Sequence, residues 1–141
     1  MFMGEYNHTV DEKGRLSIPS KFREELPNGF VITKGLDGCL FAFSKSEFEA
    51  YVQKITSLSF GKKDNRDFSR FLLGGAATVE FDKQGRVLIP GVLRSFAKIE
   101  KDVALVGVGN RFEIWNKDFW DNASLIPNVE ELAERMEDLG M

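Results

Sequence analysis

A chain of 141 residues, 43% apolar and 29% charged, suits one soluble domain or two small halves. No apolar run approaches the roughly 20 residues that cross a bilayer, and no basic-then-apolar leader opens the chain, so neither a membrane protein nor a secreted one is expected. The net charge of −3 argues against a uniformly basic nucleic-acid binder.

In chain order, Glu5–Val10 mixes aromatic and β-branched residues and predicts a short strand. Lys13-Gly14 is the tight part of a hairpin turn, and Gly14 can take the positive φ such a turn demands. Arg15-Leu16-Ser17-Ile18 alternates polar and apolar, the period of a half-buried strand. Pro19-Ser20 opens a short helix with Phe22 and Leu26 on one face, broken by Pro27-Asn28-Gly29. Phe30–Thr33 and Cys39–Phe43 predict a second hairpin. Ser46 with Glu49 has capping-box spacing ahead of a helix carrying Phe48, Val52 and Ile55. Asp64 is placed to cap a further helix with Phe68, Phe71 and Leu72, stopped by Gly74-Gly75. Strand residues 78–81 restart the same order, which runs to a helix capped near Asn116. A last helix is predicted from Asn128, with Glu131 three residues on, Val129, Leu132 and Met136 on one side, and Gly140 at its end.

The order restarts because the sequence repeats. Asp11-Glu12-Lys13-Gly14-Arg15-Leu16-Ser17-Ile18-Pro19 returns as Asp82-Lys83-Gln84-Gly85-Arg86-Val87-Leu88-Ile89-Pro90, 71 residues later. Each copy alone, about 43 residues, is near the size below which isolated folding needs help, so two copies pairing as an intramolecular pseudo-dimer is the expected arrangement. Charge follows the repeat. Residues 11–23 carry four basic against two acidic side chains, and 82–94 three against one. Residues 113–141 carry two basic against eight acidic.

A turn needs Asp, to accept from its own backbone N–H groups, and Gly; it does not need Arg. Asp11, Gly14, Asp82 and Gly85 therefore shape the turns. Arg15 and Arg86 carry planar forks suited to phosphates and guanine edges, and Lys13 and Lys83 flank them as point charges. These four cations are the candidate binding residues. Arg23 and Arg94 also match between copies but are expected to be solvated helix residues, or to pair with Glu24, Glu25 or Glu100. Arg66 and Arg70 are expected to be solvated or at a subunit contact. No catalytic, metal or cofactor site is expected: His8 stands alone in a strand, Cys39 lies in an apolar pattern that makes thiols inert, and no His/Cys cluster has ligand spacing. Gly107-Val108-Gly109 reads as a hairpin turn rather than a dinucleotide loop. Among the 13 phenylalanines and two tryptophans, Phe2, Phe60, Trp115, Phe119 and Trp120 are the candidates for a subunit interface.

The doubled signature, together with Met1-Phe2-x-Gly4, Phe22-Arg23, Gly35-Leu36-Asp37-x-Cys39-Leu40 and Gly107-Val108-x-Asn110-Arg111-x-Glu113-Ile114-Trp115, resembles the bacterial MraZ family over essentially the whole chain. Met3 stands where many relatives carry a basic residue. The resemblance implies a β-rich α+β fold: two tandem AbrB-like swapped-hairpin halves, residues 5–47 and 76–119, with a helical connector at 48–75 and an acidic helical segment at 120–141. It further implies a sequence-specific regulator of the division and cell-wall gene cluster. Such a regulator binds double-stranded promoter repeats upstream of its own gene as a homo-oligomeric ring, eight subunits being the expected form. It would be cytoplasmic and nucleoid-associated, and would need no cofactor, membrane or small-molecule substrate. The rival expectation is a ring-forming scaffold whose DNA contact is incidental.

Overall fold

The computed structural model describes residues 1–122 and 128–136. In chain order these form β1 (Phe2–Thr9), β2 (Arg15–Ser17), α1 (Ser20–Arg23), β3 (Phe30–Lys34), β4 (Leu40–Phe43), α2 (Lys45–Thr56) and α3 (Lys63–Gly74). There follow β5 (Ala77–Val79), β6 (Arg86–Leu88), α4 (Gly91–Phe96), β7 (Asp102–Gly109), β8 (Phe112–Asn116), α5 (Lys117–Asn122) and α6 (Val129–Arg135). The fold is sheet-rich α+β.

Strand partners are exchanged between the two copies. A six-stranded sheet runs β1-β7-β8-β4-β3-β5, and a separate two-stranded ribbon joins β2 to β6. β1 of the first copy thus pairs along its whole length with β7 of the second, and β5 of the second adds to β3 of the first. The hairpin expected across residues 11–14 forms its turn, but its two arms share one isolated β-bridge, Val10 to Leu16, rather than a ladder. β2 finds its ladder on β6 instead. Alternation of apolar residues specifies which face of a strand is buried, not which strand lies beside it, so β2 is free to take its partner from the other copy.

The alternation itself is obeyed. In β4, Leu40 and Ala42 enter a large cluster on one side of the sheet, while Phe41 and Phe43 enter a second cluster on the other. The large cluster takes Leu16 and Ile18 from the first copy, Val87 and Ile89 from the second, and Phe22, Leu26 and Leu93 from the short helical segments. Phe22 is at its centre, with ring centroids 5.4 Å from Phe2, 5.2 Å from Tyr6 and 4.8 Å from Phe112. Both copies therefore share one core, and each supplies what the other lacks in buried area. The second cluster packs under α2 through Phe48 and Tyr51.

Several local expectations shift. Ser44, not Ser46, caps α2, accepting from the Glu47 N–H at 3.2 Å, so the helix begins earlier. α3 starts after Lys62 without a side-chain cap, leaving Asp64 in its first turn. Asn116 does cap α5, accepting from the Phe119 N–H at 3.0 Å, and Asn128 caps α6 by accepting from Glu131. The expected end at Gly140 lies outside the described residues. Two of the proposed interface aromatics are core: Phe2 is 4% exposed and Trp115 3%. Trp115 can be buried because its indole N–H donates to Glu113 Oε1 at 3.1 Å. Phe60 and Phe119 are exposed, and Trp120 is half-buried.

Candidate nucleic-acid interface

The ribbon is the element on which the repeated motifs meet. Its register pairs Arg15 with Leu88, Leu16 with Val87 and Ser17 with Arg86. Leu16 and Val87 point inward and are essentially unexposed. Side chains alternate, so Arg15, Ser17, Arg86 and Leu88 share the outer face. Two arginines thus lie diagonally across one small antiparallel surface, each beside a residue of a different type.

Each arginine is held by its own turn. Asp11 Oδ1 accepts from the backbone N–H groups of Lys13 (3.0 Å) and Arg15 (2.9 Å), while Oδ2 accepts from Arg15 Nε at 2.7 Å. Asp82 repeats this with Gln84 and Arg86: both backbone N–H groups donate at 2.9 Å, and so does Arg86 Nε. One carboxylate therefore shapes the turn and aims the guanidinium. The turn aspartate takes Nε, which leaves the terminal amino groups of Arg15, and Nη2 of Arg86, pointing outward for contact. Arg86 Nη1 also lies 3.7 Å from Asp11 Oδ2, a cross-link between the two motifs. Backbone N–H groups of the arginines and the neighbouring turn residue hold both Asp carboxyls below their ordinary range, with the arginine side chains adding to the effect.

The turns are also braced by one another. Ile18 N–H donates to Gly85 O at 3.2 Å, and Ile89 N–H donates to Gly14 O at 2.9 Å. Gly14 has φ +87° and Gly85 φ +76°, so both positions favour glycine on backbone grounds. Each glycine is further covered by an arginine from the other copy. A Cβ on Gly14 would stand 2.8 Å from Arg94 Cζ, and one on Gly85 would fall on Arg23 Nη1. Arg94 Nε in turn donates to Ile89 O at 2.9 Å.

Arg23 and Arg94 were expected to be solvated or paired with Glu24, Glu25 or Glu100. Among the described residues none of those pairs forms; Glu25 instead meets the N-terminal amine at 2.9 Å. The fold carries each arginine over the opposite turn, adding two cations to the surface. Their shared 71-residue offset was the available signal. Lys13 and Lys83 are exposed at the turn tips, but not at equivalent positions: Lys13 corresponds to Gln84, and Lys83 to Glu12. His8, expected to have a surface or packing role, hydrogen-bonds through Nδ1 to the Ser17 carbonyl and so steadies the end of β2. Cys39 is fully buried, with its thiol donating toward Leu36 O at 3.2 Å and burial pushing its pKa far up.

Among the described residues, no group of three or more His, Cys, Asp or Glu side chains could hold a metal ion. No helix there is long and apolar enough to cross a membrane.

The family described as "MraZ protein, putative antitoxin-like" matches the chain twice, over residues 1–71 and 72–137. A protein of Thermoanaerobacter sp. (strain X514) named "Transcriptional regulator MraZ" is 53% identical over 143 aligned positions that cover all of both chains. A protein of the same name from Pelotomaculum thermopropionicum is 52% identical, covering all of this chain and 99% of its own. Another from Pediococcus pentosaceus is 48% identical, with full coverage of both.

Proposed function

Because the chain belongs to the MraZ family, we propose that it is a sequence-specific transcriptional regulator that presents the β2–β6 ribbon to the major groove of double-stranded DNA. The family is one of regulators, not enzymes. The observation that carries the proposal is the pair of outward arginines, each fixed through Nε by the aspartate of its turn. A two-stranded ribbon fits the major groove, and an arginine offering two N–H groups matches the O6 and N7 acceptors of guanine. Lys13 and Lys83 at the tips, with Arg23 and Arg94 over the turns, supply phosphate contacts that set orientation.

The exchanged strand partners support a swapped-hairpin pseudo-dimer, with halves at 5–47 and 76–119, a helical connector at 48–75 and an acidic segment at 120–141. One ribbon makes few contacts, so a single subunit binds weakly. Repeated DNA elements engaged by several subunits of a ring gain through effective concentration. The proposal accordingly extends to an octameric ring on repeats upstream of the protein's own gene. There it regulates the division and cell-wall cluster from a cytoplasmic, nucleoid-associated position. Phe60 and Phe119, exposed at 82% and 50%, are the aromatics left for subunit contacts.

The test is a gel shift on the DNA upstream of its gene in rising salt, alongside native mass measurement. A retarded complex that weakens steeply with salt, formed by an oligomer, is expected. An oligomer with no shift even at low salt favours the scaffold reading.

A further inference from the structure

We infer that Leu88 is a specificity-determining residue that reads the C5-methyl group of a thymine beside the guanine contacted by Arg15. This rests on the DNA-binding reading of the ribbon and adds to it an apolar contact. Leu88 is 57% exposed on the outer face of β6, directly opposite Arg15 across the ladder. It is absent from both core clusters, so packing within this chain does not account for it.

The internal repeat supplies a control. The equivalent position in the first copy is Ser17, on the same outer face, in the same short ladder, opposite the other arginine. That backbone position therefore accepts a small polar residue, and an exposed leucine there is not demanded by the fold. Contact of this half-exposed side chain with an apolar group would take its surface out of water. The apolar feature that the major groove offers is the thymine methyl. Opposed residues in an antiparallel ladder have Cβ atoms about 4.5–5.5 Å apart. A base step is about 3.4 Å. Arg15 and Leu88 can thus address neighbouring base pairs. Arg86 has Ser17 as its partner, a hydroxyl able to meet a donor or an acceptor. The two ends of the ribbon would then ask the same question through arginine and a different one beside it.

The experiment uses full-length protein and the duplex upstream of its own gene, with thymines replaced one at a time by deoxyuridine, which removes only the methyl group. The parent should lose about fourfold in affinity per engaged ribbon at one thymine in each repeat, the worth of one methyl-sized group. Leu88→Ala and Leu88→Ser should bind the thymine and deoxyuridine duplexes equally, and Ser17→Ala should keep the parent's sensitivity. Leu88→Ser reproduces the residue of the first copy and should fold. Equal binding of thymine and deoxyuridine duplexes by the parent overturns the inference. So does a Leu88→Ala protein that keeps the methyl sensitivity, or one whose native mass changes, which would make Leu88 a contact between subunits. If the folded parent binds neither duplex, the DNA-binding reading itself falls, and Leu88 with it.

Discussion

Gly14→Ala and Gly85→Ala make the same chemical change at equivalent positions, yet the structure predicts unequal costs. Both residues have left-handed backbone, at φ +87° and +76°, where a Cβ costs about 1–2 kcal/mol. What lies over them differs. At Gly14 a Cβ would stand 2.8 to 3.0 Å from three guanidinium atoms of Arg94, which is half-buried and donates through Nε to Ile89 O. Moving that side chain also breaks a charged hydrogen bond, worth about 1.5 kcal/mol at the low end for such bonds. At Gly85 the obstacle is Arg23, which is exposed and whose side chain makes no hydrogen bond among the described residues, so it can swing into water. Gly14→Ala should therefore cost about 3 kcal/mol and Gly85→Ala about 1.5 kcal/mol. Urea unfolding at a fixed protein concentration measures both. Placing each glycine change in an Arg94→Ala background completes the cycle. Without Arg94, the cost of Gly14→Ala should fall to that of Gly85→Ala. Equal costs in the parent, or a Gly14 cost unaffected by removing Arg94, would refute the idea that the first turn is clamped by Arg94 of the other copy.

Three further outcomes are expected. Phe22→Ala should cost about 3–5 kcal/mol in urea unfolding, because its ring is 1% exposed among Phe2, Tyr6 and Phe112. The Asp11 and Asp82 carboxyls are held below their ordinary range in the fold, so the stability they add is complete above about pH 4 and is lost as pH falls through the lowered folded values. Thermal melts of Asp11→Asn/Asp82→Asn should accordingly show a shallower acid limb than the parent; identical limbs would contradict this. Cys39 should resist thiol-alkylating reagent in the native protein and react only on unfolding, since burial disfavours its thiolate.

The repeat made the centre of the site legible before any coordinates. Asp11 and Asp82 have few uses at that spacing other than turn-shaping, and the arginine side chains are not needed to close the turn. Strand pairing was not legible, because β2 and β6 are three residues each and their pattern is satisfied by any partner offering an apolar face. The α2 cap was ambiguous by composition: Ser44 with Glu47 and Ser46 with Glu49 both satisfy the capping spacing, and only the path out of β4 selects the first. Arg23 and Arg94 were visible as an equivalent pair, but their place over the opposite turns depends on the exchange of strands. In sequence Leu88 is indistinguishable from core, being an apolar residue in the apolar run Val87-Leu88-Ile89. Alternation between inward Val87 and Ile89 turns it outward, and the register then sets it opposite Arg15.

The central claim is that the ribbon arginines contact DNA. Fluorescence anisotropy of a labelled duplex from upstream of the gene, titrated with Arg15→Ala and Arg86→Ala, tests it most directly. Each variant should lose about 1–3 kcal/mol of binding per engaged ribbon, or roughly 5- to 150-fold, with fold and native mass unchanged. If both variants, folded and assembled, bind that duplex as the parent does, the ribbon is not the DNA-binding surface.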